Sequence, residues 1–150
     1  MEFLMTYGWA ILVVLIVIGA LAYFGVLDPS KLLPDKCTFP TGLYCEDYIL
    51  QSGGTSDGRI DFVLQNGIGR DINITGIWAE ESNAQASCSN TTIMADIISN
   101  GATYTVTLPC PGDSLYQGTK YKFNLNVSYT YVGSTFEHTM QGELFTRAET

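Results

Sequence analysis

The chain opens on a block of apolar positions with no polar face. Between Phe3 and Leu27 no side chain is charged, and 14 of these 25 residues are Leu, Ile, Val or Phe. Wound as a helix, the segment is apolar on all sides, which predicts burial around its full circumference rather than a surface amphipathic helix. At about 1.5 Å per residue it reaches roughly 37 Å, enough to cross a hydrocarbon layer of about 30 Å with some tilt. The 14 large apolar residues contribute on the order of −6 kcal/mol to insertion. Phe3, Tyr7 and Trp9 near one end, with Tyr23 and Phe24 near the other, match the two aromatic belts of a spanning helix. A secretory signal has a basic start and a shorter apolar stretch, and this segment has neither. Gly25 and Asp28-Pro29 mark its end, with Asp28 capping a short second helix that Pro34 stops.

Beyond residue 28 the period changes from helical to two. Tyr121, Phe123, Leu125, Val127, Tyr129 and Tyr131 alternate with Lys122, Asn124, Asn126, Ser128 and Thr130, predicting a long strand with one buried face. Gly133-Ser134 turns this strand into a second run in which Phe136, His138, Met140 and Leu144 face inward. Earlier runs comprise Ile60, Phe62 and Leu64; Ile72, Ile74 and Ile77-Trp78; Thr92 to Ile98; and Tyr104, Val106 and Leu108. Asp57-Gly58, Asn66-Gly67, Asn100-Gly101 and Pro111-Gly112 separate them as turns. The predicted fold is therefore α+β: a long N-terminal hydrophobic helix followed by an all-β, immunoglobulin-like antiparallel sandwich. The expected organisation is the helix at 1–27, a connector with the short helix and a first disulfide loop at 28–48, and the sandwich at 49–150.

Charge and cysteine content narrow the chemistry. Apart from Glu2, 14 acids stand against 7 Lys and Arg, all beyond the apolar block. A net negative domain disfavours nucleic acid, which needs a basic face. Cys37, Cys45, Cys88 and Cys110 allow three pairings, and proximity favours Cys37 with Cys45 and Cys88 with Cys110. Without a Cys-x-x-Cys spacing, the even count reads as structural disulfides of an oxidising compartment. The first basic residue is Lys31, which by the positive-inside rule would leave the domain in the cytoplasm. A short basic leader ahead of Met1, either removed on maturation or lying outside the sequence as given, would reconcile the two expectations. Asn73, Asn90 and Asn126 each begin an Asn-x-Ser/Thr sequon. Asn73 and Asn126 fall at outward strand positions and Asn90 in a polar loop, so all three are expected to face solvent as glycan acceptors.

Enzyme chemistry is not expected. The lone His138 lies on an inward face, no nucleophile accompanies it, and the acids are dispersed without a calcium-loop or zinc spacing. Gly67-Ile68-Gly69 lacks the third glycine of a dinucleotide loop and precedes a strand. The expectation is a chain with no catalytic residue, no metal and no cofactor.

The opening run MEFLMTYGWAILVVLIVIGALAYFGVL resembles the N-terminal helix of archaeal type IV pilin-like proteins, the subunits of extracellular filaments. Glu2 matches the glutamate that the family carries near its mature N-terminus, whereas the family's preceding Gln and basic leader do not occur in this sequence. The run from Gly118 to Tyr131, with Gly133 and Gly142, is similar to the last hairpin of such heads. The resemblance implies a subunit held in the membrane by its helix, processed by a prepilin-type peptidase, and then extracted by an assembly machinery into a helical homopolymer at the cell surface. It further implies adhesion or surface interaction, with an archaellum-type motility filament as the alternative within the superfamily. Phe3, Leu4, Tyr7, Trp9, Ile11, Val14, Leu15, Ile18, Leu21 and Phe24 would then form the polymerisation helix. Glu2 would serve either the helix dipole or the terminal amine of a neighbouring subunit. The competing expectation from another class is a membrane-anchored receptor or adhesin whose head binds a sugar or protein without polymerising.

Overall fold

The computed structural model of the chain describes residues 2–25, 32–54, 57–83, 86–90, 96–112 and 115–150. Two compact units are present, Met1–Leu33 and Pro34–Thr150.

The first unit contains one helix, α1, Glu2–Tyr23. The regular helix stops short of the expected Leu27 because Phe24 and Gly25 close its last turn, their amides donating to the carbonyls of Ala20 (3.0 Å) and Ala22 (3.1 Å). Gly25 takes φ +66°, a left-handed conformation that a side chain would strain, and this ends the helix. The short helix expected at Asp28-Pro29 lies outside the described residues.

The second unit is built from strands β1 (Lys36–Thr38), β2 (Leu43–Gln51), β3 (Gly58–Asn66), β4 (Ile72–Glu81), β5 (Ser87–Asn90), β6 (Asp96–Ile98), β7 (Thr103–Cys110), β8 (Lys120–Tyr131) and β9 (Glu137–Glu149). Among the described residues they form one sheet path, β5-β4-β8-β9-β2-β3-β7, with β1 on β9 and β6 on β4. The path curls around a single core in a barrel-like arrangement. That core draws Leu50, Ile60, Phe62, Leu64 and Leu108 from one part of the path and Ile72, Ile74, Phe123, Leu125 and Val127 from the other. The chain is thus one apolar helix followed by a mostly-β domain.

Three expectations change. First, the stretch read as connector, 28–48, holds β1 and the start of β2, so the compact head begins at Pro34 rather than at residue 49. The alternation of β2 is masked by a bulge between Cys45 and Asp47, which throws successive side chains onto the wrong faces. Second, the pairing is not wholly antiparallel, because β2 meets β9 in parallel through Leu50–Ala148 and Gln51–Glu149. Third, the strand expected from Thr92 is described only from Asp96, since residues 91–95 lie outside the described ones.

The central hairpin β8–β9 is in register from Lys120–Arg147 to Thr130–Glu137. Gly142 of β9 admits no Cβ, since one would stand 2.6 Å from both the Phe39 ring and the Thr38 carbonyl. This close approach lets β1 and Phe39 pack onto the hairpin, bringing Phe39 within 6.3 Å of Phe62. At one end of the head, Asn66 is buried and holds the β3–β4 connection together. Its Nδ2 donates to the carbonyls of Arg70 (2.8 Å) and Ile98 (2.9 Å), while its Oδ1 accepts from Ile68 N (3.1 Å).

Candidate assembly helix and surface sites of the head

No residue of α1 is buried. Phe3, Leu4, Tyr7, Trp9, Ile11, Val14, Leu15, Ile18, Leu21 and Phe24 are all exposed, Trp9 at 71%. A soluble monomer rarely leaves so much contiguous apolar surface in water. Fully covering a large aliphatic or aromatic side chain is worth about 1.5–3 kcal/mol, so lipid or other protein covering this circumference would gain tens of kcal/mol before ordering costs. At about 33 Å for its 22 residues, α1 has the length and composition to cross a membrane. Its start is ordered locally: Thr6 Oγ1 donates to the Glu2 carbonyl (2.9 Å), and the Phe3 and Tyr7 rings stack one turn apart at 6.4 Å. Glu2 lies in the first turn, the end of the helix at which a carboxylate is favoured by the dipole.

Both disulfides have the pairing that proximity favours. Cys37 of β1 joins Cys45 of β2, and Cys88 of β5 joins Cys110 of β7, with Cα atoms 5.8 Å and 4.1 Å apart. The second bridge is fully buried and ties together the two terminal strands of the sheet path. Such bridges suit an oxidising, extracytoplasmic setting.

The sequons divide. Asn73 is half-buried in β4 between Ile97 of β6 and Thr130 of β8, and among the described residues its Oδ1 has no hydrogen-bond partner. Asn90 closes β5 rather than lying in a loop, and its Nδ2 donates to the Thr107 carbonyl (3.0 Å). Asn126 departs most from expectation, being 8% exposed. Alternation does place it on the outer face of β8, but β8 is a central strand. Trp78 of β4 and Gln141 of β9, directly opposite it on either side, wall it in.

His138 reverses the other way. It shares the inward-facing row with Tyr129, yet it is exposed, as is Phe136 at 75%. At this end of the hairpin β9 has no described ladder with β2, which it meets only near Ala148. The imidazole therefore lies open beside Tyr129 and Tyr131, at ring separations of 5.6 Å and 5.0 Å, while Arg70 stands 5.2 Å over Tyr131.

Glu143 of β9 joins charged groups of two other strands. Glu143 sits between Lys36 of β1 (3.0 Å) and Lys122 of β8 (3.2 Å), and hydrogen bonds from these two ammonium groups hold its carboxyl below the usual carboxylate range. Tyr104 donates to Asp96 (2.9 Å), and burial, then that hydrogen bond, raises its phenol. Among the described residues no three His, Cys, Asp or Glu side chains converge as metal ligands would.

A feature that alternation alone does not reveal is a polar concavity of about 400 Å³ on the outer face of β4, β8 and β9, lined by Glu80, Asn124, Asn126, Gln141, Gly142 and Glu143. Its only signal in the sequence is the run of amides and acids at outward positions. Which of these stand side by side depends on register.

No family model matches the chain, and no curated protein does. Among solved structures, the crystal structure of the C-terminal domain of Wzt is similar at a TM-score of 0.47 and 11% identity, over 77% of this chain and 78% of that one.

Proposed function

We propose that the chain is a structural subunit of an extracellular filament of the archaeal type IV pilus kind, polymerising through bundled N-terminal helices and serving adhesion or surface interaction. The observation that carries this reading is α1, 22 residues apolar on every side with none buried. Such a helix requires cover. Lipid supplies it before assembly, and copies of the same helix supply it in a polymer, without any change in the helix itself. The disulfide-bonded head fits exposure outside the cell. In this reading the head belongs to the immunoglobulin-like sandwich class. Its two layers would be the segments β2-β3-β7 and β5-β4-β8-β9 of the single sheet path, which runs from one to the other through the parallel β2–β9 contact.

Negative-stain microscopy of material sheared from cells tests the proposal, with uniform thin filaments containing this chain as the expected result. Val14→Asp should abolish them, because a charge at the centre of the helix costs about 3 kcal/mol on the insertion scale and more against dry neighbours. A chain lacking residues 1–27 should be soluble and monomeric. Filaments formed by either variant would refute assembly through the helix. Since α1 is also long enough to span a bilayer, a chain confined to the membrane fraction, with no filaments containing it, would establish a permanent membrane-anchored receptor instead.

A further inference from the structure

We infer that the outer face of β4, β8 and β9 is a binding site for a neutral, polyhydroxylated ligand, a segment of a sugar chain. The inference stands on the head alone and holds whether or not the helices polymerise.

Register brings six side chains into two adjacent cross-strand rows. Glu80, Asn124 and Glu143 form one, and Trp78, Asn126 and Gln141 the other. The concavity over these rows, about 400 Å³, lies within the range of small-ligand pockets, roughly 300–1,000 Å³. Asn126 is 8% exposed and Asn124 and Gln141 are exposed, and among the described residues none of the three amides has a side-chain hydrogen bond to protein, so all three meet solvent in the concavity. Amide groups held on a rigid central strand and left unpaired are donors and acceptors kept ready for something that enters from outside.

The chemistry of the lining selects the ligand. Each amide offers two N–H donors and a carbonyl acceptor, the complement of a hydroxyl group that donates once and accepts twice. The carboxylates of Glu80 and Glu143 accept from hydroxyls, and Glu80 disfavours phosphate or carboxylate ligands. Lys36 and Lys122 already neutralise Glu143, so the site does not call for a cation. Trp78 borders this lining without belonging to it, its ring folding back over Gly76, where a Cβ would lie 3.6 Å from it, so the site recognises its ligand through hydrogen bonds.

The test uses the full-length chain in a zwitterionic detergent free of sugar headgroups. Neutral oligosaccharides of glucose, galactose and mannose are titrated by calorimetry and by NMR of the Asn and Gln side-chain amides. At least one should bind and shift the amide signals of Asn124, Asn126 and Gln141. Gln141→Ala and Asn124→Ala, both at exposed positions, should each weaken binding about tenfold, the loss expected when a hydrogen bond to the ligand is removed. Their melting temperatures should be unchanged. A uronic-acid oligomer of equal length should bind more weakly than the neutral one. The inference is overturned if no neutral sugar binds, if the two variants leave affinity unchanged, or if the uronate is preferred. It is equally overturned if Gln141→Ala disturbs only self-association, which would make this face a contact between subunits.

Discussion

Replacing Cys88 and Cys110 together by Ala should cost the head more stability than replacing Cys37 and Cys45. The bridges close loops of 22 and 8 residues in sequence separation. By loop-closure entropy these are worth about 3.4 and about 2.5 kcal/mol, respectively. The head unit Pro34–Thr150 has 117 residues, and at about 2.1 cal/mol/K per residue its unfolding entropy is about 250 cal/mol/K. The two double variants should therefore melt about 14 °C and about 10 °C lower. Structure widens the gap, since Cys88 and Cys110 are fully buried and their truncation leaves a void, whereas Cys37 and Cys45 are partly exposed. Position adds to it: β5 and β7 end the sheet path, and Cys88–Cys110 is the covalent link between them. Scanning calorimetry of the full-length chain in detergent, with the head transition followed in each variant, measures both shifts. If the Cys88→Ala/Cys110→Ala chain melted above its Cys37→Ala/Cys45→Ala counterpart, neither loop entropy nor edge closure could be the source of the stability.

Glu143 adds a pH dependence of known sign. Its carboxyl titrates below the ordinary value in the folded chain, so its contribution is complete above the unfolded-state value and is lost as pH falls through the folded one. Because the group is well exposed, the effect should stay within about 1 kcal/mol. Glu143→Gln should lower the melting temperature at pH 7 and leave it unchanged at pH 2, and an equal deficit at both would exclude the two lysine contacts as its cause. Among the sequons, peptide mapping of native material should find Asn126 bare and any glycan at Asn73 or Asn90, since Asn126 lies in the middle of a strand paired on both sides, where a modifying enzyme cannot bend the sequon into its own site. A glycan at Asn126 would show that this sequon is modified before β8 pairs.

The apolar helix α1 was legible in the sequence because its information is one-dimensional. A block of apolar residues without a charge, closed by Gly25, specifies a helix and the need to cover it, whatever the rest of the chain does. Strands β3, β7 and the first half of β8 could be read for a similar reason: inward Ile60, Phe62, Leu64, Val106, Leu108, Phe123 and Leu125 alternate without interruption. The cysteine pairing followed from proximity along the chain. Alternation, however, tells which side of a strand a residue takes and nothing about what stands beside it there. Asn126 and Ser128 are at outward positions and are buried, because the neighbours on β4 and β9 are tall or hydrogen-bonded, as Ser128 is to Thr139 (3.2 Å). His138 is at an inward position and is exposed, because among the described residues no strand covers that end of β9. Strands β1 and β5 are too short to show a period, and β2 conceals its own behind a bulge, so only their partners define them. The polar concavity belongs wholly to the tertiary structure: Glu80, Asn126 and Gln141 are far apart in the chain and meet because register aligns three strands, a property set by the packing of the opposite, apolar face.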